Sequence, residues 1–303
     1  MIKEPSQHPK ISRIIDAFSG IRVLPLPRGE VWLGTKLVMA AGYDDTADNH
    51  FRAAEDLNHD FVSFPVKGQN DKTPDLGYRY FTAADLAHGF PERGFFLFAV
   101  IDGPFQRLVN HMGLVEALMG LIRDREAALK AYAEESDNAF SLIRQCLDRG
   151  VNGIIIADDF AGENGPLVSP RDIGELSGPF YTKAVTEIHK AGAKSVLHSC
   201  GNLTRLFDIF EPWRLDGLAA VQNRCNDLAG HAKKTGRVVI AGIDSPLLES
   251  DAPPDSELDA FKHLISAMAP TGGLVLCSGS GLYKGEFLGR IKALYAMADE
   301  LSI

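Results

Sequence analysis

Cysteine is scarce in this chain, and excess positive charge is missing. Four cysteines (Cys146, Cys200, Cys225 and Cys277) stand among 303 residues. The start, residues 1–7, is polar and lacks the apolar core of a secretory leader. Together these features point to a reducing, cytoplasmic compartment. Basic residues number 31 against 40 acidic ones, for a formal net charge of −9. No basic stripe interleaves with aromatics, which argues against nucleic acid as a partner. No run of about 18 apolar residues occurs, so no membrane-spanning helix is expected. No GxGxxG follows an early strand and no GxxxxGK[ST] is present, which weakens nucleotide-binding readings. Low-complexity linkers, internal repeats and charge blocks are also missing. A single domain over 1–303 is the simplest organisation.

What is present is an ordinary globular composition, 45% hydrophobic and 23% charged. Strand-like apolar segments recur at 60–66, 95–101, 152–157, 194–197, 217–221, 237–242 and 273–277. The run 95–101 is apolar without interruption, as expected of a strand buried on both faces. Amphipathic segments lie between, for example 126–149 and 181–191, followed by the helix-stopping Gly150 and Gly192. This alternation predicts an α/β chain folded as a (β/α)8 TIM barrel, with a doubly wound sheet as the competing architecture. The stretch to about residue 59, punctuated by Pro25, Pro27 and Gly29, reads as a helical lead-in that caps the barrel.

In such a barrel the chemistry lies at the carboxyl ends of the strands. His198-Ser199-Cys200-Gly201-Asn202 follows the short strand 194–197. Residues two apart on an extended segment face one way, and imidazole and thiolate both ligate zinc. Cys277 ends the last strand and supplies a candidate third ligand. Cys146, in mid-helix, and Cys225 read as structural. Asp158 and Asp159 follow three isoleucines and an alanine. One of the two can complete a zinc shell or act as a general acid, and the alternation of a strand lets only one face the pocket. The other strand ends offer Asp102, Gln222, Asn223, Asp244 and, in the last loop, Tyr283 as substrate-binding candidates.

The segment Val196-Leu197-His198-Ser199-Cys200-Gly201-Asn202 resembles the HxCGN signature of the uroporphyrinogen decarboxylase superfamily, in its zinc-dependent corrinoid methyltransferase branch. Asp102-Gly103-Pro104-Phe105 looks like that family's strand-end segment. Asp158-Asp159-Phe160-Ala161 through Gly165-Pro166-Leu167-Val168-Ser169-Pro170 looks like its acidic loop, and Gly272 through Gly281 like its final strand and loop. True decarboxylases carry an arginine-rich motif near the start. Here the corresponding Pro27-Arg28-Gly29-Glu30-Val31-Trp32-Leu33 supplies one arginine, which favours methyl transfer.

The resemblance implies a zinc ion and a corrinoid (cobalamin) carried by a partner protein. It also implies methyl transfer from a small methylated donor, an ether or an amine, to the cobalt. Transfer from the corrinoid to a thiol or folate acceptor is the alternative. A metal-free lyase using Asp44, Asp60 or Asp102 with arginines, and a barrel that binds without turnover, are the rival readings. The chain departs from the family in its last ligand. Aligning glycines puts Ser280, not a cysteine, at the expected turn. Either Cys277 has taken over, or the site holds only His198, Cys200 and an acid such as Asp158. Cys277 is preferred, because its strand end can face the barrel axis.

Overall fold

A computed structural model describes residues 8–86 and 93–303; the polar start, 1–7, lies outside the described residues. Seven parallel strands form one curled sheet: β1 (Phe61–Val66), β2 (Phe96–Asp102), β3 (Gly153–Ala157), β4 (Lys194–His198), β5 (Gly217–Ala219), β6 (Val238–Ile243) and β7 (Leu274–Ser278). They are paired in chain order from β1 to β7. Each of the seven apolar segments read from the sequence is one of these strands. The fold is an α/β, TIM-barrel-like one.

The near-continuous apolar runs are explained by burial on both faces. In β2, Phe96, Phe98 and Val100 pack inside the barrel with Phe61, Ile155, Val196, Ile240 and Val275. Their neighbours Leu97, Ala99 and Ile101 pack outward into a second core, shared with the flanking helices. Helices Pro104–Met112, Arg125–Leu147, Pro170–Lys190, Asp255–Met268 and Phe287–Leu301 are among those outside the strands. Ser169 caps the helix Pro170–Lys190 by accepting from Asp172 N at 3.1 Å. Among the described residues no helix is long and apolar enough to cross a membrane.

The lead-in departs from expectation. It is helical at Pro9–Phe18, Thr35–Ala40 and Ala47–Asp56, but residues 26–33 are part of the barrel wall. Leu276 N donates to Pro27 O at 2.7 Å and Gly29 N to Leu276 O at 3.1 Å, so the segment runs along β7. On its other side Asp60 N donates to Arg28 O at 2.7 Å, at the start of β1. The segment therefore joins the two edge strands of the sheet, and Val31 points into the barrel core.

Candidate metal centre

The period of two that fills the barrel also delivers the site. Beyond Val196, the next inward position on β4 is His198, and the one after that is Cys200. Beyond Ile155 on β3 come Ala157 and Asp159. The cross-strand register pairs Ala157 with His198 and His198 with Ala219. One ligand atom each from Asp159, His198 and Cys200 lies within 4.8 Å of the others. His198 Nε2 is 3.7 Å from Cys200 Sγ and 3.6 Å from Asp159 Oδ1.

Three contacts hold this arrangement. His198 Nδ1 donates to Ala219 O at 3.0 Å; a carbonyl only accepts, so the tautomer is fixed and Nε2 is left with its lone pair. Burial pushes the imidazole pKa down, keeping it neutral. Trp32, from the closing segment, meets the imidazole edge-on with ring centroids 4.5 Å apart. Cys200 N donates to Asp159 Oδ1 at 2.8 Å, which ties the acidic loop to the histidine loop. Burial, then the charge of Asp159, pushes the Cys200 thiol up.

Asp158 stands one residue out of phase and turns away from the site. It is fully buried, accepting from Gln106 N at 2.7 Å and from Tyr181 Oη at 3.0 Å. It thereby satisfies a free N–H in the first turn of the helix Pro104–Met112. Burial pushes its carboxyl up to about 8.

Cys277 does face inward, but it is enclosed in the barrel core. Its Sγ lies 3.7 Å from Glu30 Oε2 and 3.3 Å from Ser278 O, and it does not join the Asp159–His198–Cys200 group. The closing segment brings Glu30 over it and fills that space. Ser280, at the turn where the glycine alignment places the family's last ligand, lines the pocket instead.

The three ligand candidates open into a cavity of about 310 Å³. Asp102 and Tyr283 are among the residues that line it. Asp102 Oδ2 accepts from Asn110 Nδ2 at 3.0 Å, and burial pushes the carboxyl up to about 6. Gln222, Asn223 and Asp244 are not among the lining residues; they brace the loops beneath. Gln222 Oε1 accepts from Gly201 N at 2.8 Å. Asp244 accepts from Asn223 N at 3.0 Å and Arg224 N at 2.7 Å. The reason is backbone. Ala220 has φ +50° and Gly242 φ +123°, so alternation is broken before each strand-end residue is reached.

Sequence reasoning missed Trp32, Tyr78, Tyr80 and Gln106 in the lining. The alternating Tyr78-Arg79-Tyr80, in the loop after β1, was the available signal. That loop is clamped. Arg107 binds both oxygens of Asp71 at 2.6 Å, and Glu135 at 2.8 Å.

The comparisons agree with this architecture. A methyltransferase from Methanosarcina mazei superposes with a TM-score of 0.73 at 17% identity, covering 96% of this chain and 98% of that one. A Listeria monocytogenes protein assigned as a vitamin-B12-independent methionine synthase gives a TM-score of 0.55 at 13% identity, over 90% of this chain and 96% of that one. At such identities the likeness is one of fold. No curated protein matches the sequence. The sequence pattern of uroporphyrinogen decarboxylase matches residues 31–301, and the chain belongs to that family.

Proposed function

We propose that this protein is a zinc-dependent methyltransferase that moves a methyl group from a small methylated donor to the cobalt of a corrinoid protein. The observation that carries the reading is the meeting of Asp159, His198 and Cys200 at one point of the pocket wall. An imidazole, a thiolate and a carboxylate form a donor set that suits zinc, and three protein ligands leave a fourth position open, as in catalytic sites. The thiol supports the same reading: burial and a neighbouring carboxylate favour its protonated form, and a divalent cation reverses that balance. When bound, zinc would supply Lewis acidity to the leaving heteroatom as it gives up the methyl group and regains a lone pair.

The chain's own residues would do the rest. Ala219 O and Trp32 orient the imidazole. Asp159 aligns the Cys200 loop through its backbone N–H. The lyase reading calls for a cationic pocket, and no Lys or Arg lines this one among the described residues. Asp60 is engaged by Arg13 at 2.7 Å, and Asp44 is exposed on the surface.

Zinc content tests the reading. About one zinc per chain is expected, lost in His198→Ala and Cys200→Ser, at least tenfold weaker in Asp159→Asn, and retained in Cys277→Ser. The zinc-loaded protein is then expected to demethylate a donor in the presence of reduced corrinoid protein. Zinc-free protein after reconstitution would overturn the proposal. Loss of zinc in Cys277→Ser with the fold intact would return the third ligand to that residue.

A further inference from the structure

The lining of the pocket is selective as well as reactive. Trp32, Tyr78, Tyr80 and Tyr283 supply aromatic faces, and Asp102 and Asp159 supply carboxylates. Trp32 and Tyr78 have ring centroids 6.1 Å apart, and Tyr78 and Tyr80 5.3 Å apart at 45°. The two tyrosine hydroxyls lie 3.3 Å from each other. Burial pushes both phenols up, so the rings stay neutral and keep their negative faces.

The charge balance runs the same way. Arg107, the nearby cation that acts on Asp102, is already bound to Asp71 and Glu135. The guanidinium is turned to those two carboxylates and is not among the groups that line the cavity. Only Oδ2 of Asp102 is hydrogen-bonded among the described residues, by Asn110. An aromatic-walled cavity with carboxylates and, among the described residues, no Lys or Arg in its lining attracts a cation and repels an anion.

We infer that the pocket takes its methyl donor as a methylated ammonium cation, held against the aromatic wall of Trp32, Tyr78 and Tyr80 with Asp102 as the counter-charge. The inference rests on the methyl-transfer reading for the word donor alone. The recognition itself requires neither metal nor corrinoid. It separates the amine class from a neutral ether. It also disfavours acidic acceptors, which would meet the Asp102 carboxylate. The cavity of about 310 Å³ accommodates a trimethylammonium head group with a short substituent, near the lower end of small-molecule sites.

The test is titration calorimetry on the full chain, as purified and again after chelation, with tetramethylammonium, choline and the neutral choline isostere 3,3-dimethylbutan-1-ol. Both ammonium ions are expected to bind, and choline at least tenfold tighter than the isostere. Trp32→Ala and Tyr80→Ala are each expected to weaken choline about three- to thirty-fold, with Trp32→Phe recovering part of the loss. Asp102→Asn is expected to weaken choline while leaving the isostere unchanged. Equal affinity for choline and its isostere in the unaltered protein would overturn the inference, whatever the variants do. So would the absence of ammonium binding in a protein that demethylates a neutral donor. Selective ammonium binding in a protein that neither holds zinc nor transfers methyl groups would leave the inference standing and remove the function proposed above.

Discussion

At the residue scale, the consequential distinction is between two adjacent aspartates. Asp159 is in phase with the barrel interior and meets His198 and Cys200. Asp158 is out of phase and meets a helix N-terminus and Tyr181. Their chemistry differs for the same reason. Asp158 loses its hydration, and burial holds its carboxyl up at about 8, so it carries a proton near neutrality. Asparagine reproduces that neutral group: its oxygen still accepts from Gln106 N, and its NH2 group meets Tyr181 Oη. Asp158→Asn should therefore cost less than about 1 kcal/mol in a urea melt. Asp158→Ala leaves the Gln106 N–H and the Tyr181 hydroxyl buried without a partner and should cost about 1–3 kcal/mol. Zinc content should be unchanged in Asp158→Asn. An Asp158→Asn protein that folds with normal stability yet loses its zinc would show that the acid acts in the centre and not beneath it.

At the element scale, the proposed metal centre depends on two loops locked together by backbone N–H groups. Cys200 N reaches Asp159, Phe160 N donates to Ser199 Oγ at 3.0 Å, and Asn202 N donates to Gly162 O at 2.9 Å. Gly201 makes this approach possible. Its φ is +83°, and a Cβ there would lie 2.5 Å from Gly162 O. Only glycine tolerates both conditions. Gly201→Ala should push the loops apart, destabilise the protein by about 1–3 kcal/mol and lower zinc affinity at least tenfold. Competition with a coloured chelator reads the affinity directly, and an unchanged value would refute the coupling of the loops.

Much of this element was legible beforehand. His198 and Cys200 announce themselves by spacing, because a strand end preserves the period of two. Gln222, Asn223 and Asp244 were misplaced because that period fails where Ala220 and Gly242 leave the extended region. Nothing about an alanine in an apolar run signals a positive φ. The aromatic wall was missed because Tyr78 and Tyr80 lie on a loop. Its position is set by the distant Arg107–Asp71 pair, and no local pattern encodes that contact.

At the scale of the whole molecule, the barrel depends on a seam whose sequence looks unlike a strand. Pro25, Pro27 and Gly29 read as punctuation, yet residues 26–33 join β7 to β1. Pro27 serves through its carbonyl, which needs no N–H. The seam carries a buried acid, Glu30. It accepts from Ser278 N at 3.1 Å, from Ser278 Oγ and from Tyr295 Oη at 2.9 Å, with the Cys277 thiol also against it. Behind Tyr295 stand His59, with Nε2 at 3.2 Å from the hydroxyl, and Arg28, stacked on the ring and paired with Asp299.

Burial outweighs the hydrogen bonds and raises Glu30 from 4.5 to about 7. The stability contributed by the protonated acid is therefore complete below pH 4.5 and is lost as pH rises through 7. His59 acts in the opposite sense. Burial, then Arg28 and Lys10, hold it at about 3 instead of 6.5, so its contribution is present above pH 6.5 and fades as pH falls toward 3. The two slopes oppose each other between pH 4.5 and 6.5 and hide Glu30 in the unaltered protein. Glu30→Gln removes one of them. Its stability relative to the parent should rise between pH 5 and pH 8, by an upper bound of about 3 kcal/mol. Urea midpoints of both proteins at the two pH values measure this difference. A difference that stays constant with pH would mean that Glu30 is ionised throughout, and that the seam tolerates a buried charge which Ser278 and Tyr295 satisfy unaided.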